Sequence, residues 1–239
     1  MTRRFVAAVA AVAALAMLAG CGRAGLPAPA TEQGRHTVSL WKIFLVIAAI
    51  LAAIVYGLIA FVVIRYRRRR HDDGSEPSQR RQIISLELFY TAVPLVIVGV
   101  LLGLSTRTQQ KVTHLSAHPD LEVDVIGFQW QWQFRYPGGV VVTGTPDRPP
   151  VLELPVGRTV QLHLVSNDVI HSFWVPHFTE KRDLVPGIDN RIDVRLTTTG
   201  EFPGVCSEFC GLDHYRMTFS VRAVSPEEFD AWLAKGGSP

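Results

Sequence analysis

Long apolar runs dominate the first half of the chain, and short alternating runs dominate the second half. The apolar runs cover about residues 5–20, 40–64 and 83–104. The second and third runs reach the ~20 residues that a helix needs to cross ~30 Å of hydrocarbon. We therefore expect membrane-spanning helices at 40–64 and 83–104.

The first apolar run has the form of a bacterial secretion signal. A basic start precedes it, and small or apolar residues stand directly before Cys21. That ending resembles a lipobox, in which the chain is cleaved before the cysteine and the thiol of Cys21 is acylated. We expect residues 1–20 to be removed and 21–39 to form an outer amino-terminal segment. An ordinary signal with an incidental cysteine is the alternative.

The connector between the two predicted spans is basic. Residues 65–81 hold seven Arg against three Asp and Glu, and such charge keeps a short connector on the cytoplasmic side. We expect 65–82 to be a cytoplasmic loop. The amino-terminal segment and everything after Leu104 should then lie on the outer face of a bacterial plasma membrane.

Residues 105–239 are predicted to form an outer domain, and its pattern is β. Apolar and polar residues alternate along 121–126, 159–165 and 191–196, with Pro or Gly pairs between such runs. Short alternating strands at this spacing are typical of a sandwich or barrel. A serine, a proline and two acids at 225–228 predict one short helix at the end of the domain.

Composition and charge narrow the function classes. The chain is 48% hydrophobic with 19% charged residues, which excludes a disordered chain. Its net charge of +3 comes from the signal and the connector, because the outer domain has 12 Lys and Arg against 16 Asp and Glu, a net charge of −4. An acidic outer domain favours basic soluble partners and argues against nucleic acid.

Candidate metal ligands concentrate near the end of the outer domain. Two thiols, Cys206 and Cys210, are followed by His214 and Met217. These soft or borderline ligands select copper over calcium or magnesium. A mononuclear blue-copper site needs one cysteine, so two thiolates could instead bridge two coppers. His171, which follows a predicted strand, is the candidate for the second histidine.

Plainer explanations of these residues stay open. In an oxidising compartment Cys206 and Cys210 could form a disulfide, and a single methionine such as Met217 is more often core than ligand. The histidine and methionine after Cys210 favour the copper interpretation, because a disulfide requires neither. His163, within an alternating strand, and His177, after a proline, are treated as non-ligands.

The pattern C-S-E-F-C-G-x-x-H-x-x-M at residues 206–217 resembles the dinuclear CuA loop of a known family, subunit II of haem-copper cytochrome c oxidases. The resemblance implies that copper is held by the side chains of His171, Cys206, Cys210, His214 and Met217 and by the backbone carbonyl of Glu208. It also implies that the Glu208 carboxylate contributes to a magnesium site shared with subunit I. The haems belong to subunit I only.

An aromatic segment at residues 127–136 is similar to the family segment in which the first tryptophan, here Trp130, is the point where electrons enter. Taken as a single strand, the segment places its five aromatics on one face and its three glutamines on the other. A half-buried core strand explains that alternation nearly as well.

One acid is notable on the second predicted membrane helix. Glu87 stands seven residues before Pro94, and in the family a glutamate at that spacing marks the entrance of a proton channel into subunit I. The plainer explanation is a carboxylate that complements the dipole at the start of a helix.

The resemblance implies a two-helix transmembrane hairpin followed by an all-β cupredoxin-like Greek-key sandwich. It implies an oxidoreductase subunit that accepts electrons from cytochrome c, free or tethered in a supercomplex. The electrons then pass to haem in subunit I, which reduces oxygen to water while protons are translocated. Expected partners are subunits I and III, cytochrome c and the membrane.

A membrane-anchored copper chaperone with a C-x-x-x-C site is the alternative function. Chaperones of that kind have a thioredoxin-like α/β fold with a histidine far downstream. Here the domain is predicted to be β, and histidines lie on both sides of the cysteines.

Overall fold

A computed structural model describes residues 25–67, 82–145 and 147–237. These residues form a helical unit, Ser39–Gln110, and a β unit that combines the described residues up to Val38 with those from Lys111 onward. The predicted signal, Cys21 and most of the predicted cytoplasmic loop lie outside the described residues.

Two long helices, α1 (Glu32–Arg65) and α2 (Ile84–Val112), are long and apolar enough to cross a membrane. The most apolar stretch of each helix is not buried within the chain. Both helices extend beyond the apolar runs at 40–64 and 83–104. Apolar composition marks only the part of a helix that fits hydrocarbon, whereas the first turn of α1 packs on the β unit, where Gly34 is buried.

The first sheet contains the strands that the alternating pattern predicts. Its strands are β1 (Leu121–Phe128), β2 (Gln131–Arg135), β3 (Val141–Thr143), β5 (Thr159–Ser166) and β8 (Asn190–Arg195). They lie in the order β3-β2-β1-β5-β8, with β1 and β5 parallel and the other neighbours antiparallel. The predicted strands at 121–126, 159–165 and 191–196 are confirmed as β1, β5 and β8.

The second sheet contains two of the expected metal ligands, His171 and Cys206. Its strands are β4 (Val151–Pro155), β6 (His171–Val175), β7 (Glu180–Leu184), β9 (Gly200–Cys206) and β10 (Thr218–Val224). They lie in the order β4-β10-β9-β6-β7, in which only β4 and β10 are parallel. The predicted cupredoxin-like Greek-key sandwich is confirmed.

Aromatic rings fill the space between the sheets. The ring of Phe219 lies 5.1 Å from that of Trp132 and is stacked 4.8 Å from that of Phe173. All three side chains are buried, and burial of one such ring stabilises the fold by about 1.5–3 kcal/mol. The Trp132 ring also lies 6.4 Å from the His171 imidazole, so this cluster supports the end of the sandwich that carries the candidate ligands.

The predicted terminal helix is confirmed as α3 (Pro226–Ala234). The Ser225 hydroxyl accepts a hydrogen bond from the Glu228 backbone N–H at 3.1 Å, as in a helix N-cap. On the apolar face of the helix, the buried Trp232 ring contacts Tyr136 at 5.0 Å between ring centroids.

The aromatic segment is not one strand, and the prediction that its five aromatics share one face is wrong. Phe128 at the end of β1 pairs with Gln131 at the start of β2, which makes Gln129 and Trp130 the turn of a hairpin. Trp132 enters the core, whereas Trp130 lies at the turn and is only half-buried. The alternation concealed this turn because it contains neither of the usual hairpin signals, Gly and Asn.

Candidate metal centre

Two central strands and one loop position the six residues expected to hold copper. His171 is the first residue of β6 and Cys206 is the last residue of β9, and these strands pair through Phe173 and Cys206. The others lie between β9 and β10 on residues 206–217, which we call the ligand loop. These residues are Glu208, Cys210, His214 and Met217.

Cys206 contacts three of the expected ligands. Its Sγ lies 3.9 Å from the Nδ1 atom of His171, 3.3 Å from the carbonyl oxygen of Glu208 and 3.9 Å from the Sγ atom of Cys210. A disulfide has an S–S distance of ~2.05 Å, and both cysteines are free thiols. The disulfide that the spacing allowed is therefore not formed.

Cys210 contacts the remaining two expected ligands, His214 and Met217. Its Sγ lies 3.5 Å from the Nδ1 atom of His214 and 3.8 Å from the Sδ atom of Met217. The two sulfur atoms thus stand between two imidazoles. Each sulfur atom therefore has one imidazole nitrogen within 4 Å.

The chemistry of the donors fits copper. Ligand atoms of His171, Cys206 and Cys210 all lie within 4.8 Å of one another, and the three residues are buried. Thiolate, thioether and imidazole are ligands that copper prefers, whereas calcium and magnesium require oxygen. Buried His171, Cys206, Cys210 and Met217 and part-buried Glu208 and His214 therefore form a site of suitable composition.

Backbone contacts close the base of the ligand loop. The Cys206 backbone N–H donates to the Met217 carbonyl at 2.9 Å, and the indole Nε1 of Trp132 donates to the same oxygen at 3.3 Å. Gly211 adopts a φ of +124°, which L side chains rarely reach. The ligand loop therefore depends on a core tryptophan and on one glycine.

Neighbouring groups orient His171. Asp168 Oδ1 lies 2.8 Å from Nε2 of the imidazole, which leaves Nδ1 to face Cys206. Gly127 lets the ring approach β1, because a Cβ at this position would lie only 3.1–3.2 Å from atoms of His171. A carboxylate on the outer nitrogen is the usual way in which proteins fix the orientation of a ligating histidine.

The two thiols differ in acidity. Burial opposes ionisation of Cys206, but hydrogen bonds with His171 and with backbone groups of Glu208 and Ser172 lower its pKa below the usual value. Burial and the neighbouring Cys206 raise the pKa of Cys210 to about 12. Without metal, a proton is therefore held mainly at the Cys210 Sγ.

Trp130 connects the surface with the site. Its indole Nε1 donates a hydrogen bond of 3.2 Å to the carbonyl oxygen of Cys210. The absence of a side chain at Gly211 permits this contact, because a Cβ there would lie 3.1 Å from the same nitrogen. A half-buried indole therefore contacts the backbone of an expected copper ligand directly.

The outer surface of the ligand loop is unusually apolar. Phe209, Leu212 and Tyr215 are 78%, 82% and 77% exposed. On the same loop the Glu208 carboxylate accepts a hydrogen bond from Lys181 Nζ at 3.0 Å. Three large apolar side chains therefore face solvent on the loop that carries four of the expected ligands.

The histidines treated as non-ligands have other partners. Nδ1 of His163 lies 2.9 Å from Asp124 and its Nε2 lies 3.2 Å from Asp189. The ring of His177 packs 5.3 Å from that of Phe202.

Two expected functional residues remain, Glu87 and Cys21. Glu87 is in the first turn of α2 and is half-buried, and Pro94 lies inside the same helix. Cys21 is outside the described residues.

Sequence reasoning missed four residues that shape the site: Gly127, Gln129, Asp168 and Gly211. Each stands within three positions of a residue that was identified, and this proximity is the only signal in the sequence. Their roles depend on contacts between β1, the ligand loop and the segment before β6.

A cupredoxin-like sandwich with two thiols and two imidazoles at one end, together with two candidate membrane spans, defines a membrane-anchored copper-protein class. A family model for the periplasmic domain of cytochrome c oxidase subunit II matches residues 147–224. A probable cytochrome c oxidase subunit 2 of Streptomyces avermitilis is 37% identical over 98% of this chain and 86% of its own length. The chain belongs to the cytochrome c oxidase subunit 2 family.

A second curated relative agrees with this membership. A cytochrome c oxidase subunit 2 of Thermostichus vulcanus is 33% identical, over 87% of this chain and 77% of its own length. A crystal structure of the periplasmic domain of subunit II of cytochrome oxidase from Bradyrhizobium japonicum is 32% identical. The match covers 51% of this chain and 96% of the Bradyrhizobium japonicum chain, with a TM-score of 0.47. The family resemblance seen in the sequence is confirmed, and the chain is a membrane-embedded subunit of an oxidoreductase.

Proposed function

We propose that this subunit accepts electrons from cytochrome c at a dinuclear copper centre, CuA, and passes them to haem in subunit I. There oxygen is reduced to water and protons are translocated. The observation that carries this proposal is the pair of thiols 3.9 Å apart, whose sulfur atoms contact two imidazoles, a thioether and a backbone carbonyl.

The proposed ligands are the side chains of His171, Cys206, Cys210, His214 and Met217 and the backbone carbonyl of Glu208. When bound, two copper ions would supply a centre that takes up and releases one electron with little change at either ion. The protein keeps water out, because Cys206, Cys210 and Met217 are at most 6% exposed. Paired strands hold two of the ligands and Trp132 holds the end of the ligand loop, so the geometry is rigid.

Trp130 is the proposed point where electrons enter. Its partial exposure makes it accessible to a donor, and its hydrogen bond to the Cys210 carbonyl joins it to the ligand set. The net charge of −4 on residues 105–239 favours a basic cytochrome c, free or tethered in a supercomplex.

Contacts with the other subunits are proposed for the ligand loop. The exposed Phe209, Leu212 and Tyr215 supply apolar surface that a large partner would bury. We assign subunit I to the acceptor role and subunit III to the same complex. The Glu208 carboxylate, next to Lys181, is the proposed contribution of this chain to a magnesium site shared with subunit I.

The membrane part completes the proposal. The charge of the arginine-rich connector supports a location of the β unit on the outer face of a bacterial plasma membrane, and acylated Cys21 would add an anchor there. Glu87 is the proposed entrance of a proton channel into subunit I. Glu87→Gln should lower oxygen consumption while electron transfer from cytochrome c to CuA stays intact, and unchanged turnover across pH would reduce Glu87 to a helix-end residue.

The copper chaperone is not favoured. The domain is an all-β sandwich, and the two cysteines contact a histidine on each side and a methionine. The relatives that cover most of the chain are oxidase subunits.

The proposal is tested with the assembled oxidase. A purification tag on this chain should recover a haem-containing complex that oxidises reduced cytochrome c and consumes oxygen. The Cys210→Ser complex should retain its haem but lose this activity. Recovery of the wild-type chain without haem, or haem reduction at the wild-type rate in the variant, would contradict the proposal.

A further inference from the structure

The hairpin turn Gln129-Trp130 contacts both halves of the ligand set. On one side, Asp168 Oδ2 accepts a hydrogen bond of 2.7 Å from the Gln129 backbone N–H, while Oδ1 of the same carboxylate lies 2.8 Å from His171. On the other side, the turn reaches Cys210. The carboxylate therefore fixes the backbone of the turn relative to a histidine ligand.

Two side chains of the turn donate to one acceptor. The Gln129 amide nitrogen Nε2 donates to the Cys210 carbonyl at 2.7 Å, and the Trp130 indole donates to the same oxygen at 3.2 Å. The glutamine contact is the shorter one. A Cβ at Gly211 would lie 3.1 Å from both nitrogen atoms, so the ligand loop is shaped to admit this pair of donors.

We propose that Gln129 is a positioning residue for electron acceptance, which holds Trp130 in contact with Cys210. This inference rests on the proposed function, since it concerns the same redox site. Gln129 is fixed at two points, through its backbone by Asp168 and through its side chain by Cys210. Its neighbour Trp130 packs only partly against the core and donates a longer hydrogen bond to the same oxygen, so Gln129 adds to what fixes the orientation of the ring.

The same hairpin supplies a matched control. Gln133 is a glutamine on β2, and its Nε2 donates to the Thr143 hydroxyl at 2.9 Å on the edge of the first sheet. Replacing either glutamine with methionine keeps the length of the side chain and removes its amide. Only the change at residue 129 removes a contact with the ligand loop.

The experiment uses the purified oxidase and a basic soluble cytochrome c labelled with a ruthenium photoreductant. After a laser flash, electron arrival at the copper centre is followed over a range of cytochrome concentrations. In Gln129→Met the rate at saturating cytochrome should fall about fivefold, which is the effect of one net hydrogen bond on a conformational equilibrium. The half-saturating concentration, the copper content and the copper spectrum should be unchanged. Gln129→Glu keeps the length but loses the amide donor, and should also be slow.

The outcomes separate this inference from the proposed function. Gln133→Met should match the wild type in every measurement. A saturating rate in Gln129→Met equal to the wild-type rate would overturn the positioning role, and so would an effect confined to the half-saturating concentration, which indicates a docking contact. Loss of copper in Gln129→Met would assign the residue to the stability of the site instead. Failure of the wild-type oxidase itself to accept electrons would contradict the proposed function.

Discussion

His171 and Cys206 stand on paired central strands of the second sheet, whereas Cys210, His214 and Met217 stand on a loop. The strand residues are held by the backbone pairing of β6 with β9 and by Asp168. The loop residues depend on a few contacts with Trp130, Trp132 and Gln129. The strand half of the site is therefore fixed by the pairing of the sheet itself, whereas the loop half is fixed by contacts with one hairpin and with the core.

The acidity of the two thiols also differs between the strand half and the loop half of the site. The strand thiol, Cys206, has a lowered pKa, and the loop thiol, Cys210, has a pKa raised to about 12. The thiol that loses its proton more readily therefore lies on the strand beside His171, and the thiol that holds its proton lies on the loop. Binding of a metal by both thiolates would require that Cys210 lose its proton.

The largest expected effect comes from removing either bridge. Cys206→Ser and Cys210→Ser should each reduce the copper content from two ions to at most one, because neither half alone binds a pair. Metal analysis of the purified oxidase measures this. Retention of two coppers by one of the variants would show that its half of the site is dispensable.

Substitution of the two neighbouring tryptophans should separate folding from electron transfer. Trp132→Ala removes a buried core ring and should lower the free energy of unfolding by about 3–5 kcal/mol. Trp130→Ala should leave copper content unchanged and strongly slow electron acceptance. Denaturant unfolding and stopped-flow reduction provide the two measurements, and equal destabilisation by both variants would contradict the assignment.

A side chain at Gly211 should weaken the loop half more than one at Gly127 weakens the strand half. Gly211→Ala forces a non-glycine residue to φ +124° and towards Trp130, a strain of about 1–3 kcal/mol. Gly127→Ala requires only a small shift of His171. Copper affinities of the two variants, measured with a competing chelator, test this order, and a larger loss in Gly127→Ala would reverse the comparison.

Copper uptake should become tighter as pH rises. The raised pKa of Cys210 means that the metal-free protein holds this proton at neutral pH, and copper must displace it. Above neutral pH and below the Cys210 pKa of about 12, release of this proton should increase the affinity by about tenfold per pH unit. The slope should fall in Cys210→Ser, and a wild-type affinity independent of pH would contradict the role of this thiol.

The smallest expected effect is that of Met217→Leu. A thioether is a weak ligand, and leucine has a similar volume in the buried position of Met217. The redox potential should shift while both coppers remain bound. Loss of copper as complete as in the cysteine variants would show that the thioether is a principal ligand.

The sequence predicted the ligand loop more fully than its surroundings. Cys206, Cys210, His214 and Met217 are close along the chain, so their grouping needed no knowledge of the fold. The alternating strands were also visible, because one face of each is buried. The turn at Gln129-Trp130 was not visible in the sequence, because Trp130 and the aromatic residues on both sides of the turn continue the alternation of a strand.

Contacts between distant segments account for the rest. Gly127 lies against His171 because β1 and β5 are parallel neighbours. Asp168, which contacts His171 locally, also reaches the backbone of Gln129 at the end of β1, and no local pattern records that pairing. The predicted membrane span at 40–64 begins later than α1 itself, which starts at Glu32, for a related reason. Its first turn is stabilised by the β unit, which hydrophobicity alone does not reveal.

Electron paramagnetic resonance of the oxidised wild-type oxidase, combined with copper analysis, tests the central claim most directly. The account predicts two coppers per chain, in addition to any held by subunit I, and a signal from one unpaired electron shared between them. A signal with the hyperfine pattern of a single copper, from a chain that saturates with one ion, would contradict it.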